Sequence, residues 1–200
     1  MKSKLRTFVA IELPESRQDD IRKLQHAFAS QGLDIRWVKP MNLHLTLSFL
    51  GDVDPPDIDA VESVLSGTAA NTPIFDLSPR GMGVFPNIRK PRILWVGMAG
   101  QTDMLRSVQK SVVGALVPLG FAADKRPYRG HLTIGRIKPR RTHQGRLVGA
   151  LRTHQEFVSQ AFTVKRLVIF KSDLRPDGPV YTRLCKMPLG TSTTLHPNIS

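Results

Sequence analysis

HLTLSF at residues 44–49 and HLTIGR at residues 131–136 form an internal repeat, two copies 87 positions apart in a chain of 200 residues. Each copy falls in a predicted strand. Side chains alternate along a strand with period two, so His44 and Thr46 share one face while Leu45 and Leu47 take the other. His131 and Thr133 oppose Leu132 and Ile134 in the same way. The pattern anchors aliphatic residues in a core and presents a histidine and a threonine, about 6.5 Å apart along the strand, to a groove. One copy alone would be ordinary surface. Two with matching apolar neighbours indicate two similar α+β halves facing each other.

Strand and helix patterns interleave around these copies. Arg6 to Leu13 reads as a strand, and Pro14 followed by Ile21, Leu24 and Phe28 predicts a helix to about residue 30. Strands are expected at Ile35 to Val38 and Leu43 to Leu50, then a helix opened by Pro55-Pro56. Ile74 to Leu77, Arg80 to Phe85 and Ile93 to Met98 read as strands around the loop Pro86 to Pro91. Met104, Val108, Val112 and Leu116 stripe a helix over Asp103 to Leu119. Tyr128 to Ile137 is expected as one strand and Gln144 to Thr153 as a short helix. Phe162 to Lys171 and Val180 to Met187 close the pattern as strands. No linker divides the chain, so residues 1–189 are expected to form a single domain of two lobes, with residues 190–200 a frayed polar tail.

The 29 Lys and Arg against 16 Asp and Glu give a formal net charge of +13, which calls for an anionic partner, nucleic acid being the commonest. Local density at Arg89, Lys90 and Arg92, at Lys125, Arg126 and Arg129, and at Arg136, Lys138, Arg140 and Arg141 stops short of a continuous basic block. Apolar runs such as Leu167 to Phe170 are far shorter than the roughly 20 residues that cross a bilayer, and the basic N-terminus lacks a cleavage signal. A single cysteine, Cys185, excludes an internal disulfide framework and any multi-cysteine zinc site. A cytoplasmic, monomeric protein is expected.

Two histidines on separate strands suit in-line displacement at phosphorus, where the attacking and leaving oxygens lie on opposite sides. One imidazole takes a proton from the nucleophile and the other gives one to the leaving group, since a pKa near 6.5 allows both states near neutrality. The hydroxyls of Thr46 and Thr133 can bond the non-bridging oxygens and stabilise charge growing in the transition state. No metal-ligand pattern accompanies either copy, so neither metal nor cofactor is expected.

These residues resemble the two-histidine phosphoesterases with paired HxTx motifs, and among them the bacterial RNA 2′,3′-cyclic phosphodiesterases, also called LigT-like proteins or 2′-5′ RNA ligases. FVAIELP at residues 8–14, WVKPMNLHLTLSFLGDV at 37–53, GMGVFPNIRKPRILWVGM at 81–98 and GHLTIGRIK at 130–138 carry the likeness over nearly the whole chain. One departure is Gly130, where the family favours proline. The resemblance implies two lobes of antiparallel sheet with outer helices and a groove between them. It also implies His44 as proton donor to the leaving oxygen, His131 as proton acceptor activating water, and an RNA ending in a cyclic phosphate as substrate. Small cyclic nucleotides, tRNA-derived ends, RNA binding without turnover and 2′-5′ ligation are the alternatives.

Other residues are weighed against structural roles. Arg136 points away from the groove in a regular strand, although Gly135 would allow a bulge that re-aims it. Arg129 alternates onto the His131 face and is a comparable phosphate contact. Phe49 falls on the leucine face and is assigned to the core; burial is also expected for Phe85 and Trp95 in preference to base stacking. His26, His143, His154 and His196 are assigned to the surface. Ser107 with Lys110, and Gly81 with Gly83, match nucleophile and phosphate-loop patterns only formally.

Overall fold

Leu5–Glu12 forms the first strand, β1, and from Thr7 to Ile11 every side chain of it lies on one of two buried surfaces. Thr7, Val9 and Ile11 face a helix-covered core, whereas Phe8 and Ala10 join Val168 and Phe170 on the other side. The computed structural model describes residues 3–124, 126–138, 143–176 and 178–190; Lys125, Arg140, Arg141, His196 and the tail from residue 191 lie outside them. After β1 come α1 (Glu15–Ala29), β2 (Ile35–Trp37), β3 (His44–Val53), α2 (Asp57–Ala70), β4 (Phe75–Phe85), β5 (Ile93–Gly100) and α3 (Thr102–Leu116). The remainder is β6 (His131–Ile137), α4 (Gln144–Thr153), β7 (Phe162–Val164), β8 (Arg166–Arg175) and β9 (Gly178–Pro188). The strands build one antiparallel sheet in the order β7-β4-β5-β6-β3-β1-β8-β9, with β2 added against β6. The fold is α+β, as the sequence indicated.

The repeat extends far beyond the two motifs. α1 and α3 begin at Glu15 and Thr102, α2 and α4 at Asp57 and Gln144, and β4 and β7 at Phe75 and Phe162. Each pair keeps the spacing of His44 and His131. The halves meet at two ladders, Leu45 with Leu132 and Asp76 with Thr163. Both ladders join equivalent residues, so a pseudo-twofold axis passes through each. β4 of the first half pairs with β5 of the second, and β8 of the second pairs with β1 of the first. Each lobe is thus completed by a strand from the other half. Leu45 and Leu132 are each 1% exposed. Truncating such a leucine costs about 2–5 kcal/mol, against about 1 kcal/mol for a ladder hydrogen bond, so packing dominates the central junction.

β3 runs on to Val53 and α3 ends at Leu116, and three further segments divide differently from the sequence expectation. Ile74 to Leu77 and Arg80 to Phe85 are one strand, β4, interrupted by a bulge at Gly81, where φ is +69°. Phe162 to Lys171 is two strands in different lobes, parted at Lys165. The alternation shows why: Phe162 and Val164 are buried, then Leu167 and Ile169, so the period-two phase slips between them. β6 starts at His131 and not at Tyr128; the preceding Gly130 packs so closely that a Cβ there would stand 2.6 Å from Leu105 Cδ2. Among the described residues no helix is long and apolar enough to cross a membrane.

Candidate active site

The register of β3 against β6 brings the two motifs together. The strands are antiparallel and pair at Leu45 and Leu132, so the flanking positions set His44 beside Thr133 and Thr46 beside His131. All four side chains leave the sheet on the face opposite the two buried leucines. Tyr128 ties the junction further by donating its hydroxyl to the Thr46 carbonyl at 3.2 Å.

Each motif strand then bulges at the same place. Opposite β1, β3 steps from Thr46 to Ser48 and leaves Leu47 unpaired; opposite β5, β6 steps from Thr133 to Gly135 and leaves Ile134 unpaired. A bulge inserts one residue and reverses the alternation beyond it. Phe49 therefore lands beside Phe8, ring centroids 6.0 Å apart, and is 68% exposed on the groove face. This corrects its assignment to the core. Arg136 is likewise turned to the groove side, as Gly135 permitted. A Cβ at Gly135 would lie 2.5 Å from Ile35 Cγ2, so the bulge needs glycine for space.

The histidines are anchored alike. His44 Nδ1 lies 2.8 Å from the Asn42 carbonyl and His131 Nδ1 2.7 Å from the Arg129 carbonyl. A carbonyl can only accept, so both Nδ1 atoms carry the proton and both Nε2 atoms keep a lone pair. His44 is walled by Phe8 at 4.7 Å and by Tyr181, edge-on, at 5.2 Å. Burial drives its pKa down from 6.5 to about 4; the Asn42 bond opposes this, and the charge of His131 adds a smaller push downward. Burial also lowers the pKa of His131, with the Arg129 bond opposing and the Arg129 charge reinforcing it. Both imidazoles are neutral near pH 7 in the free protein.

A cavity of about 600 Å³ opens on His44, Thr46 and Phe49 of the first motif and Thr133 and Arg136 of the second, with Arg6, Arg36 and Arg175 also lining it. His131 lies outside that lining, held by Phe85 edge-on at 5.0 Å and by Trp95 at 6.4 Å. Phe85 and Trp95 are half-buried and serve this packing. Arg129 precedes the strand and lays its guanidinium over the Phe85 ring at 5.9 Å. A second cavity of about 610 Å³ adjoins at His44 but takes in neither threonine; there Arg166 and Arg183 both pair with Glu12. The cavity shared by both motifs is the candidate site.

Comparison with known proteins bears on the duplication directly. The family model of LigT-like phosphoesterases matches the chain twice, over residues 11–95 and again over residues 96–181. The chain belongs to the LigT-like phosphoesterases. It is 35% identical over 181 residues to a Methanothermobacter thermautotrophicus protein named RNA 2′,3′-cyclic phosphodiesterase, covering 90% of this chain and 96% of that one. A Thermotoga maritima protein of the same name is 30% identical, covering 88% and 91%. In fold it is similar to a crystal structure from Thermus thermophilus, at TM-score 0.77, 24% identity and coverage of 94% and 99%. E. coli LigT complexed with 3′-AMP is similar at TM-score 0.71 and 24% identity, covering 94% and 99%.

In this LigT-like phosphoesterase several residues escaped the sequence analysis. Gln25 and Gln109 donate to the carbonyls of Ile134 and Leu47, the two bulge residues. A glutamine on the buried stripe of α1, beside Ile21, Leu24 and Phe28, was the available signal for the first. Gly83 makes room for Trp95, whose Cζ2 would stand 2.3 Å from a Cβ there. His154 packs against Phe28 at 5.2 Å and is half-buried, not a plain surface residue. His143 is exposed and accepts from the Arg146 amide at the start of α4.

Proposed function

We propose that this protein hydrolyses the 2′,3′-cyclic phosphate at the end of an RNA to a 2′-phosphate and a free 3′-hydroxyl. The matched anchoring of His44 and His131 carries the reading: each holds its Nδ1 proton on a backbone carbonyl and keeps Nε2 for chemistry. The names of the relatives support the substrate class. Water attacks phosphorus and passes its proton to Nε2 of His131. The bond from phosphorus to the 3′ oxygen breaks, and doubly protonated His44 gives that oxygen its Nε2 proton. Thr46, Thr133 and Arg136 bind the non-bridging oxygens, with Arg129 as a further cation beside His131, and no metal or cofactor takes part. An anionic phosphate favours the charged form of His44 and so offsets the burial that keeps it neutral in the free protein.

One observation favours exchanged roles. His44 is packed between Phe8 and Tyr181, a burial that favours the uncharged ring, and a neutral imidazole is a ready base. With the nucleotide bound the same way round, water on the His44 side would displace the 2′ oxygen and leave a 3′-phosphate. Incubation of an oligonucleotide ending in a cyclic phosphate, with EDTA present and phosphorus NMR of the product, tests both readings. A 2′-phosphate supports the first assignment, a 3′-phosphate supports the second, and no turnover overturns the hydrolase reading. We further infer a cytoplasmic monomer, in keeping with the single cysteine, with tRNA-derived ends among its substrates.

A further inference from the structure

A bulge takes one residue out of the ladder, and its backbone groups then need other partners. At Ile134 the partner comes from the other half of the chain. Gln25, on α1, donates its side-chain amide to the Ile134 carbonyl at 2.9 Å and to the Val38 carbonyl at 2.8 Å, and the Val38 amide donates to the same Ile134 oxygen at 3.0 Å. Gln25 is 5% exposed. A leucine would cover that stripe of α1 without burying an amide; what the glutamine adds is the bond to the bulge.

The equivalent carbonyl across the pseudo-twofold axis is also met by a glutamine, but from a different helix position: the counterpart of Gln25 is Val112, and Gln109 stands where the first half has Arg22. Gln109, on α3, donates to the carbonyl of Leu47 at 3.4 Å. The helix of each half therefore holds the bulge in the motif strand of the other. The contact at Ile134 is shorter and doubly bonded, and the residue that this bulge re-aims is Arg136.

We propose that Gln25 is a positioning residue for the phosphate end of the site, holding the Ile134 bulge so that Arg136 stays turned into the groove. The inference rests on reading Arg136 as a phosphate contact. Without the bulge, Arg136 returns to the alternation phase that points away from His131 and Thr133. Misplacing a binding group by about 1 Å can cost on the order of 100-fold.

The test compares Gln25→Met, Arg136→Ala and the double variant by affinity for inorganic phosphate and by kcat/KM on a 2′,3′-cyclic mononucleotide, with circular dichroism verifying the fold. Gln25→Met should lose roughly 10- to 100-fold in both, and should add less than about twofold in the Arg136→Ala background. Wild-type phosphate affinity in a folded Gln25→Met protein, or losses that multiply in the double variant, would overturn the proposal. Should Gln25→Met fail to fold, Gln25→Leu, which removes the donor from the same buried stripe, is read in the same cycle by the same two outcomes. Phosphate affinity does not require turnover, so failure of the RNA substrate reading leaves this test standing. If Arg136→Ala binds phosphate as wild type does, the premise about Arg136 fails, and the inference with it.

Discussion

Phe49 and Arg136 occupy the same position in the two copies of the repeat, each five residues after its histidine and each turned to the groove face by a bulge one residue beyond the motif threonine. The backbone treats the halves alike, while the side chains give one end of the groove a flat aromatic face and the other a cation. That difference breaks a near-symmetry that would let a nucleotide bind either way round.

Replacing Phe49 by Ala should weaken binding of cyclic nucleotides while leaving affinity for inorganic phosphate unchanged. Stacking of a base on an aromatic ring contributes about 1–3 kcal/mol, so KM should rise roughly 5- to 150-fold. Equal losses for nucleotide and phosphate would show that Phe49 supports the fold and not the base.

His44→Ala and His131→Ala should each lower turnover by about 10² to 10⁴ in folded protein. The double variant should fall little further, because both groups serve one step. Near-normal turnover in either single variant would remove the acid–base pair.

The lowered pKa of His44 has a stability consequence of definite sign. An unfolded chain protonates this residue as pH falls below about 6.5, while the folded protein resists down to about 4. The unfolded state binds more protons between those values, so the contribution of neutral His44 is complete above about 6.5 and is lost as pH falls toward about 4. Urea midpoints for wild type and His44→Asn, taken from pH 7 to pH 4.5, should fall more steeply for wild type. Parallel curves would contradict the burial of the imidazole. Phosphate binding should move the His44 titration upward in proton NMR, because an anion favours the charged ring.

Arg6, Arg36 and Arg136 line the site cavity of a protein carrying a net charge of +13. Apparent affinity for an oligonucleotide should therefore fall more steeply with salt than affinity for a cyclic mononucleotide, since each phosphate contact adds to the slope. Matching slopes would restrict recognition to the terminal nucleotide.

The four motif residues were legible because a period-two pattern occurring twice is hard to produce by chance, and the helices because their apolar stripes are regular. The bulges were hidden for a physical reason: HLTLSF keeps alternating on paper past the point where the backbone stops doing so. Phe49 thus fell in the leucine phase, and only Gly135 hinted at the slip that re-aims Arg136. The break at Lys165 was visible as a phase change from Phe162 and Val164 to Leu167 and Ile169, but a continuous apolar run masked it. Gln25 was the informative misfit on α1, a polar residue where leucine would serve packing better.

Because β4 and β8 trade lobes, a polypeptide containing only the first half would have no neighbour for the outer edge of β1 and no Gln109 for the bulge at Leu47. Two such polypeptides would supply each other with a strand along β1 and with a Gln25 facing each Leu47 bulge, while β9 and Gln109 have no counterpart in them. The fold has the connectivity of a strand-swapped homodimer whose subunits have been fused between β4 and β5, and its two histidines are one side chain used twice.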